Sequence, residues 1–506
     1  MNVSRRGACA WLLCVAPLAT AATSDTASSA TAPLERLIPA IDARFARFQQ
    51  EAHIPGLVYG IVRDGKLVHV RAMGVQDLDS KRPVDADSLF RIASMSKAFT
   101  ALAILKLRDE GQLELDKPAD AYVPEMRNWR YPTSDSPHIR VRDLLSHVGG
   151  FVTDDPWGDR QQELSEADFT QMLRNGVPFT RAPGTAYEYS NFGYALLGRI
   201  VTNVSGRPFR NYIEQAIMRP LGMAATGYEI GESPLAKRAI GYRWENDAFA
   251  REPDMAHGTF GAMGGVQTSV NDYARWTSYL LSAWPARDGP EQGPVRRSSV
   301  RELAQGLNFP HLSRRPGANS NNCSQSATYG MGMRIAMDCD VGHVVAHSGG
   351  YPGYGSYLML LPDHGVGLFA FTNRTYSGPS GAVWDAAMEL HEGGWLTGRA
   401  RAVTDGLAQA YLAAVAMYKA GEIKPGRDLL AVNFLMDRSE ESWTREFTRL
   451  EGETGVCRTD ARIVATGALS GRFTWKCERA ELEGTLLLAP THPPKIQALR
   501  FGIATR

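Results

Sequence analysis

Ser94-Met95-Ser96-Lys97 opens a helical pattern that continues to Glu110, and Gly111 stands where a helix end favours glycine. A spacing of three puts Ser94 and Lys97 on one helical face, with Met95, Phe99 and Leu102 anchoring the opposite one. A serine hydroxyl becomes a useful nucleophile only when a neighbour accepts its proton. Lysine can accept it only when desolvation or nearby positive charge lowers its pKa. The helix N-terminus supplies part of that positive potential, and a free backbone N–H at Ser94 that could serve an oxyanion hole. Alone the motif is weak, because a chain of this composition holds roughly one such match by chance. A capping serine beside a solvated lysine reads the same way.

Outward from this helix the pattern organises a fold. Leu37, Ile41, Phe45 and Phe48, spaced by three and four, predict a helix ended by Ile54-Pro55-Gly56. Leu57–Val62 and Leu67–Ala72 predict strands around the turn Asp64-Gly65. The middle of the chain reads as helix and loop, with a helix from Asn191 to Ser205 stopped by Gly206. Near Tyr329 the character changes, and Val341–Ala346, Tyr357–Leu361 and Val366–Phe371 predict consecutive antiparallel strands. Strands at both ends with helices between them imply an α/β + α class: an antiparallel sheet flanked by helices, carrying an inserted helical lobe. A boundary is expected at residues 397–401. Beyond it, one helix presents Leu407, Ala410, Tyr411, Ala414, Val415 and Tyr418 on one face. A second starts at Asp437, with Glu440 three residues on, and buries Trp443, Phe447 and Leu450. Alternating strands follow, in which Phe473 and Trp475 read as core. Residues 397–506 are thus expected to form a small α+β accessory domain, loosely like a cystatin or nuclear-transport-factor half-cone.

Composition limits the function classes. Lys+Arg number 55 and Asp+Glu 54, so the net charge of +1 gives no footprint for nucleic acid. A mean hydropathy of -0.25 excludes a multi-span membrane protein. Arg5 and Arg6, the apolar stretch Ala8–Leu18 and the small residues Ala19-Thr20-Ala21 read as a secretory signal over residues 1–21, too short for a transmembrane span. A flexible leader is expected over 22–33 and the mature protein in the periplasm or outside the cell, by either general or twin-arginine export. Cys323, Cys339, Cys457 and Cys477 remain in the mature chain. Four cysteines allow three connectivities; sequence proximity favours Cys323–Cys339 and Cys457–Cys477, each worth about 3 kcal/mol if unstrained.

Two patterns are set aside. Gly60–Lys66 fits a phosphate-loop spacing, but Leu67 replaces the Ser/Thr that would hold magnesium and the run lies in an expected hairpin. His343 and His347 lie four apart in a β-branched run, and at about 3.3 Å per residue their rings stand roughly 13 Å apart, too far to share zinc. No metal and no cofactor is expected. No Gly-x-Ser-x-Gly elbow occurs either.

Two further motifs decide the reading of Ser94. Tyr189-Ser190-Asn191 lies at a loop-to-helix junction, and His347-Ser348-Gly349 lies on an expected strand that runs into Gly350. With Ser-x-x-Lys, Tyr-x-Asn and His-x-Gly in that order, the chain resembles the serine β-lactamase and penicillin-binding-protein superfamily. The resemblance is to its class C β-lactamase-like branch, which also contains DD-carboxypeptidases, D-aminopeptidases and β-lactamase-like esterases. Leu144-Leu145-Ser146-His147, Tyr194–Gly198 and Tyr329-Gly330-Met331-Gly332 look like the same family. The likeness spans about residues 34–396, expected to be one serine hydrolase domain.

The resemblance implies that Ser94 attacks a carbonyl carbon to form an acyl-enzyme, and that Lys97 accepts its proton or tunes its partners. Tyr189 would pass a proton to the leaving group, its phenol made more acidic by the Lys97 ammonium. Asn191 would bind the substrate amide, the N–H groups of Ser94 and Gly350 would cradle the oxyanion, and His347, Ser348 and Gly349 would line the substrate. Where many β-lactamases carry lysine, His347 is mostly neutral near pH 7. That points to a D-amino-acid peptide or small ester ahead of a β-lactam. A class C-type β-lactamase is the alternative, and a non-catalytic peptidoglycan-peptide binding protein is the alternative of another class. The partner expected is a small-molecule or short-peptide substrate; oligomeric state is not legible. His147 and Trp157 are expected in loops near the site.

Overall fold

Burial on both faces explains the apolar runs that frame the chain. In the computed structural model, which describes residues 33–316, 322–399 and 401–504, the strands β1 (Gly56–Arg63) and β2 (Lys66–Gly74) follow the first helix, α1 (Leu34–Glu51). The signal sequence and all but the last residue of the leader lie outside the described residues. Later come β3 (His311–Pro316), β4 (Asn322–Tyr329), β5 (Arg334–Asp338), β6 (Gly342–Tyr351), β7 (Tyr354–Leu361) and β8 (Val366–Thr372). They form one antiparallel sheet in the order β2-β1-β8-β7-β6-β5-β4-β3. Every residue of β7 and β8 is buried, because both faces are covered. The first hairpin therefore pairs with the last strand, Leu57 opposite Thr372, and the sheet is closed from both ends of this part of the chain.

On one face α1 packs with α5 (Ser380–Glu392), joining Ile41 and Phe45 to Val383, Ala387 and Leu390. The other face is covered by the helical lobe: α2 (Lys97–Asp109), α3 (Asn191–Ser205) and α4 (Val270–Leu281). α2 is the central helix, buried on nearly all sides from Lys97 to Leu107, with Phe99 stacked on Trp276 of α4 at 3.8 Å between ring centroids. Gly111 and Gly206 follow α2 and α3 with φ of 73° and 69°, left-handed positions that glycine adopts without a Cβ penalty.

A second unit has its own core. α6 (Asp405–Ala420) and α7 (Glu440–Thr454) pack on a five-stranded antiparallel sheet of β9 (Cys457–Arg458), β10 (Val464–Gly467), β11 (Ser470–Cys477), β12 (Glu481–Ala489) and β13 (Lys495–Ala504). Phe473 and Trp475 lie inside it beside Leu407, Met417 and Phe447. Disulfides join Cys323 to Cys339 and Cys457 to Cys477.

β6 runs from Gly342 to Tyr351, so His347 to Gly350 are strand residues in register with β7, as expected of the motif. Two differences from the sequence reading matter. β3, β4 and β5 have no counterpart in that reading. Finally, α7 starts at Glu440 rather than Asp437: Ser439 is its N-cap, its Oγ accepting from the Ser442 N–H at 3.3 Å, while Asp437 ends a separate turn.

Candidate active site

Ser94 is presented by a 3₁₀ turn, Ala93–Ser96, placed immediately before α2. Ala93 has φ of 49°, in the left-handed region unusual for a residue with a side chain, which makes the entry to the turn sharp. The turn is held from outside. Ile92 N–H donates to Val266 O at 3.0 Å, and Ser96 Oγ accepts from Val266 N–H at 3.1 Å. β6 lies directly against it, since a Cβ on Gly349 would fall 2.3 Å from Ile92 O. Sheet and Ser94 turn are thereby in contact through a residue that must be glycine.

Lys97 has no exposed surface. Its Nζ donates to Ser94 Oγ at 3.0 Å, Asn191 Oδ1 at 2.7 Å and Met263 O at 3.1 Å. Burial pushes its pKa down to about 8, against the opposing pull of Asp155, Asp159 and Asp154. Lysine at that value exchanges its proton near neutral pH, as a base for Ser94 requires.

Tyr189 is also buried, beside Ser94. The expectation of an acidified phenol is corrected here. Burial, with Tyr329 and Asp155 nearby, pushes the phenol well above its ordinary range. The Lys97 ammonium sits over the ring, 4.8 Å from its centroid. Tyr189 therefore rests as a neutral hydroxyl.

Asn191 is locked on both sides of its amide, with Oδ1 accepting from Lys97 and Nδ2 donating to Asp155. Asp154 accepts the Asn191 and Phe192 N–H groups at 2.6 and 2.7 Å, a carboxylate placed on the N-terminus of α3 where the helix dipole favours it. Sequence reading missed these loop carboxylates, which carry no periodic signal.

His347 is buried with both ring nitrogens engaged: Nε2 with Tyr329 Oη at 3.0 Å and Nδ1 with Ser348 O at 2.6 Å. A carbonyl can only accept, so the partners assign the proton to Nδ1. Burial, Arg334 and Lys97 push its pKa down to about 3. His347 is therefore neutral, and beside it Ser348 and Gly350 are half-buried. His147 flanks Tyr189 instead of facing an open cleft. Its carbonyl accepts from Glu188 N–H at 2.9 Å, its Nδ1 accepts from Ser190 N–H at 3.1 Å, and its ring lies 4.4 Å from that of Tyr189. Trp157 is exposed on the loop that carries Asp154 and Asp155.

Arg334 was also missed, because β5, which pairs β6 on one side and β4 on the other, was not read. It pairs opposite Ala346, next to His347. Its guanidinium stands 5.9 Å from the Tyr189 ring centroid and 6.0 Å from that of Tyr329. Its side chain is exposed, and it opens onto a cavity of about 220 Å³ that it lines with Tyr187, Phe309, Tyr357 and Trp384. Among the described residues no carboxylate pairs with it.

Comparison with known proteins gives the family and the fold. A family model described as "Beta-lactamase" matches residues 41–392. Protein flp of Staphylococcus aureus strain MRSA252 is 28% identical over 342 residues, 66% of this chain and 62% of that protein. The chain thus matches less than two thirds of the length of these first curated relatives. A beta-lactamase of Pseudomonas fluorescens is 25% identical over 352 residues, 66% of this chain and 93% of that protein. Two solved structures share the fold. The octameric penicillin-binding protein homologue from Pyrococcus abyssi has 20% identity and a TM-score of 0.56, covering 92% of this chain and 95% of its own. Coverage that high reaches into the second sheet. D-alanine carboxypeptidase AmpC from Burkholderia cenocepacia has 21% identity and a TM-score of 0.55, covering 71% of this chain and 99% of its own.

Proposed function

The chain belongs to the beta-lactamase family, and from that premise we propose that it is an exported serine hydrolase that forms an acyl-enzyme at Ser94. The observation that carries the reading is the 3.0 Å hydrogen bond between Lys97 Nζ and Ser94 Oγ, made by a lysine whose pKa is near 8. Neutral Lys97 takes the Ser94 proton as Oγ attacks the substrate carbonyl. The backbone N–H groups of Ser94 and Gly350 receive the oxyanion. Tyr189, kept protonated by burial, gives its proton to the leaving nitrogen or oxygen, and the Lys97 ammonium beside it replaces that proton. Water then attacks the acyl-enzyme, and Ser94 Oγ regains a proton. Asn191, fixed by Lys97 and Asp155, orients the acyl side. The two disulfides suit an oxidising compartment, and among the described residues no helix is long and apolar enough to cross a membrane.

The substrate is a D-amino-acid peptide or small ester ahead of a β-lactam. Neutral His347, with both nitrogens engaged, offers no cation to a substrate carboxylate. Arg334 is the cation available on that side, and it supports a leaving group that ends in a carboxylate. The same cation favours a second reading, a β-lactamase, since a β-lactam also carries a carboxylate. A turnover panel of a short-chain ester, a D-Ala-D-Ala peptide, a D-amino-acid amide and nitrocefin separates the two. Ester or D-peptide turnover ahead of nitrocefin is expected; rapid nitrocefin hydrolysis overturns the order. A fluorophosphonate should label Ser94 stoichiometrically, and folded protein without that label would instead be a binding protein. Lys97→Ala should lower turnover by about 10²–10⁴-fold, the range for loss of a general base.

A further inference from the structure

A side chain from the sheet reaches across to the helical lobe beside the nucleophile. Tyr376 follows β8, and its ring lies against Gly350, where an added Cβ would come within 2.9 Å of Cδ1. Its hydroxyl donates to Asp159 Oδ2 at 3.0 Å. Asp159 is buried in the turn Gly158–Gln161, and that turn packs on Asn191: a Cβ on Gly158 would fall 2.7 Å from Asn191 Cβ. A second tie runs parallel to the first. Glu252 Oε1 accepts from Thr375 Oγ1 at 2.9 Å, and Glu252 Oε2 lies 3.5 Å from Arg160. Neighbouring residues of one loop, 375 and 376, are thus bound to neighbouring residues of one turn, 159 and 160.

We infer that Tyr376 and Asp159 form a crossbar that closes the acyl end of the substrate groove, so that the enzyme accepts short acyl groups and excludes long ones. The inference rests on the reading of Ser94 as the nucleophile. Gly350 and Asn191 flank the place where the acyl carbonyl is held, and the crossbar runs from one to the other. A chain extending from that carbonyl meets a tyrosine ring on its way out. Tyr376 is 44% exposed, so the barrier stands at the surface of the molecule. With Arg334 on the leaving side, the favoured substrate is a small acyl group joined to a carboxylate-bearing leaving group, rather than the end of a long peptide.

The test compares p-nitrophenyl acetate with p-nitrophenyl octanoate on the full chain, with fluorophosphonate labelling of Ser94 and thermal midpoints measured alongside. Wild type should prefer the acetate in kcat/KM by at least about tenfold. Tyr376→Ala should reduce that preference by at least about tenfold, chiefly through a lower KM for the octanoate. Tyr376→Phe keeps the ring, loses the bond to Asp159, and should reduce the preference by about threefold; it serves if the alanine variant does not fold. A labelled, folded Tyr376→Ala with the wild-type preference overturns the inference, as does a wild type that prefers octanoate. Absence of any Ser94 label in folded wild type overturns both this inference and the reading beneath it.

Discussion

At the scale of single residues, the site turns on how Lys97 balances two opposed influences. Burial removes water from its ammonium and lowers the pKa, whereas the carboxylates of Asp155, Asp159 and Asp154 raise it, Asp155 most. The outcome, about 8, sets the acid limb of the expected pH–rate profile under the proposal that the neutral amine is the base. Asp155→Asn isolates one influence, because an amide oxygen can still accept from Asn191 Nδ2 while the charge is gone. Without that charge the ammonium is less favoured, Lys97 loses its proton at lower pH, and the acid limb of kcat/KM should move down by roughly half to one pH unit. A pH–rate series on the ester substrate checks this; a limb that stays or moves up removes Asp155 from the account. The contact between Ser94 and Lys97, the proposed nucleophile and base, was legible in the sequence because their spacing is local. Tyr189 and Asn191 were legible as a motif. The state of the phenol was not, because it depends on burial, which no short motif encodes.

At the scale of elements, β6 joins the two lobes by alternation. Val345 and Tyr351 belong to the core of the helical lobe, and Val344 and Ala346 to the core under α1 and α5. His347 follows that alternation inward, which is why it is buried and neutral. Its folded pKa of about 3 lies below the ordinary value, so an unfolded chain binds its proton first as pH falls. The stability contribution is whole above about pH 6.5 and is lost as pH falls from there towards 3. His147, held low by burial, adds in the same sense. The thermal midpoint should therefore fall between pH 7 and pH 4, and His347→Asn, which removes one titrating ring, should show a shallower fall. An equally steep fall in the variant would assign the acid sensitivity elsewhere. The same strand shows why part of the sheet was unreadable. β7 and β8 are covered on both faces and read as unbroken apolar runs. β4, at Asn322–Tyr329, and β3 carry polar residues at the sheet's edge, where solvent replaces packing and the alternation weakens. Arg334 stands on β5, between that edge and β6, and was lost with it.

At the scale of the whole molecule, the two units are joined by chain more than by contact. Two cores serve the catalytic part, on either side of its sheet, and a third lies wholly within residues 407–499. Among the described residues, no hydrogen bond, ion pair or ring contact joins residues 402–504 to residues 33–398. Arg399 anchors the join from the catalytic side. Its N–H donates to Asp363 O at 2.7 Å, and its guanidinium bonds Trp284 O at 2.6 Å and Asp64 at 2.9 Å. Separate cores without shared polar contacts unfold separately. A chain ended after Arg401 keeps that anchor and leaves Ser94, Lys97, Tyr189 and the crossbar untouched. Its ester turnover should stay within about twofold of the full chain, and its catalytic-domain thermal midpoint within a few degrees, as surface changes distant from a core generally allow. Calorimetry on the two chains, with turnover measured in parallel, decides the matter. A truncated chain that folds but loses turnover shows that the second unit supplies part of the substrate site. One that keeps turnover on small esters confines catalysis to the first unit, leaving the second free to bind something other than the reacting group.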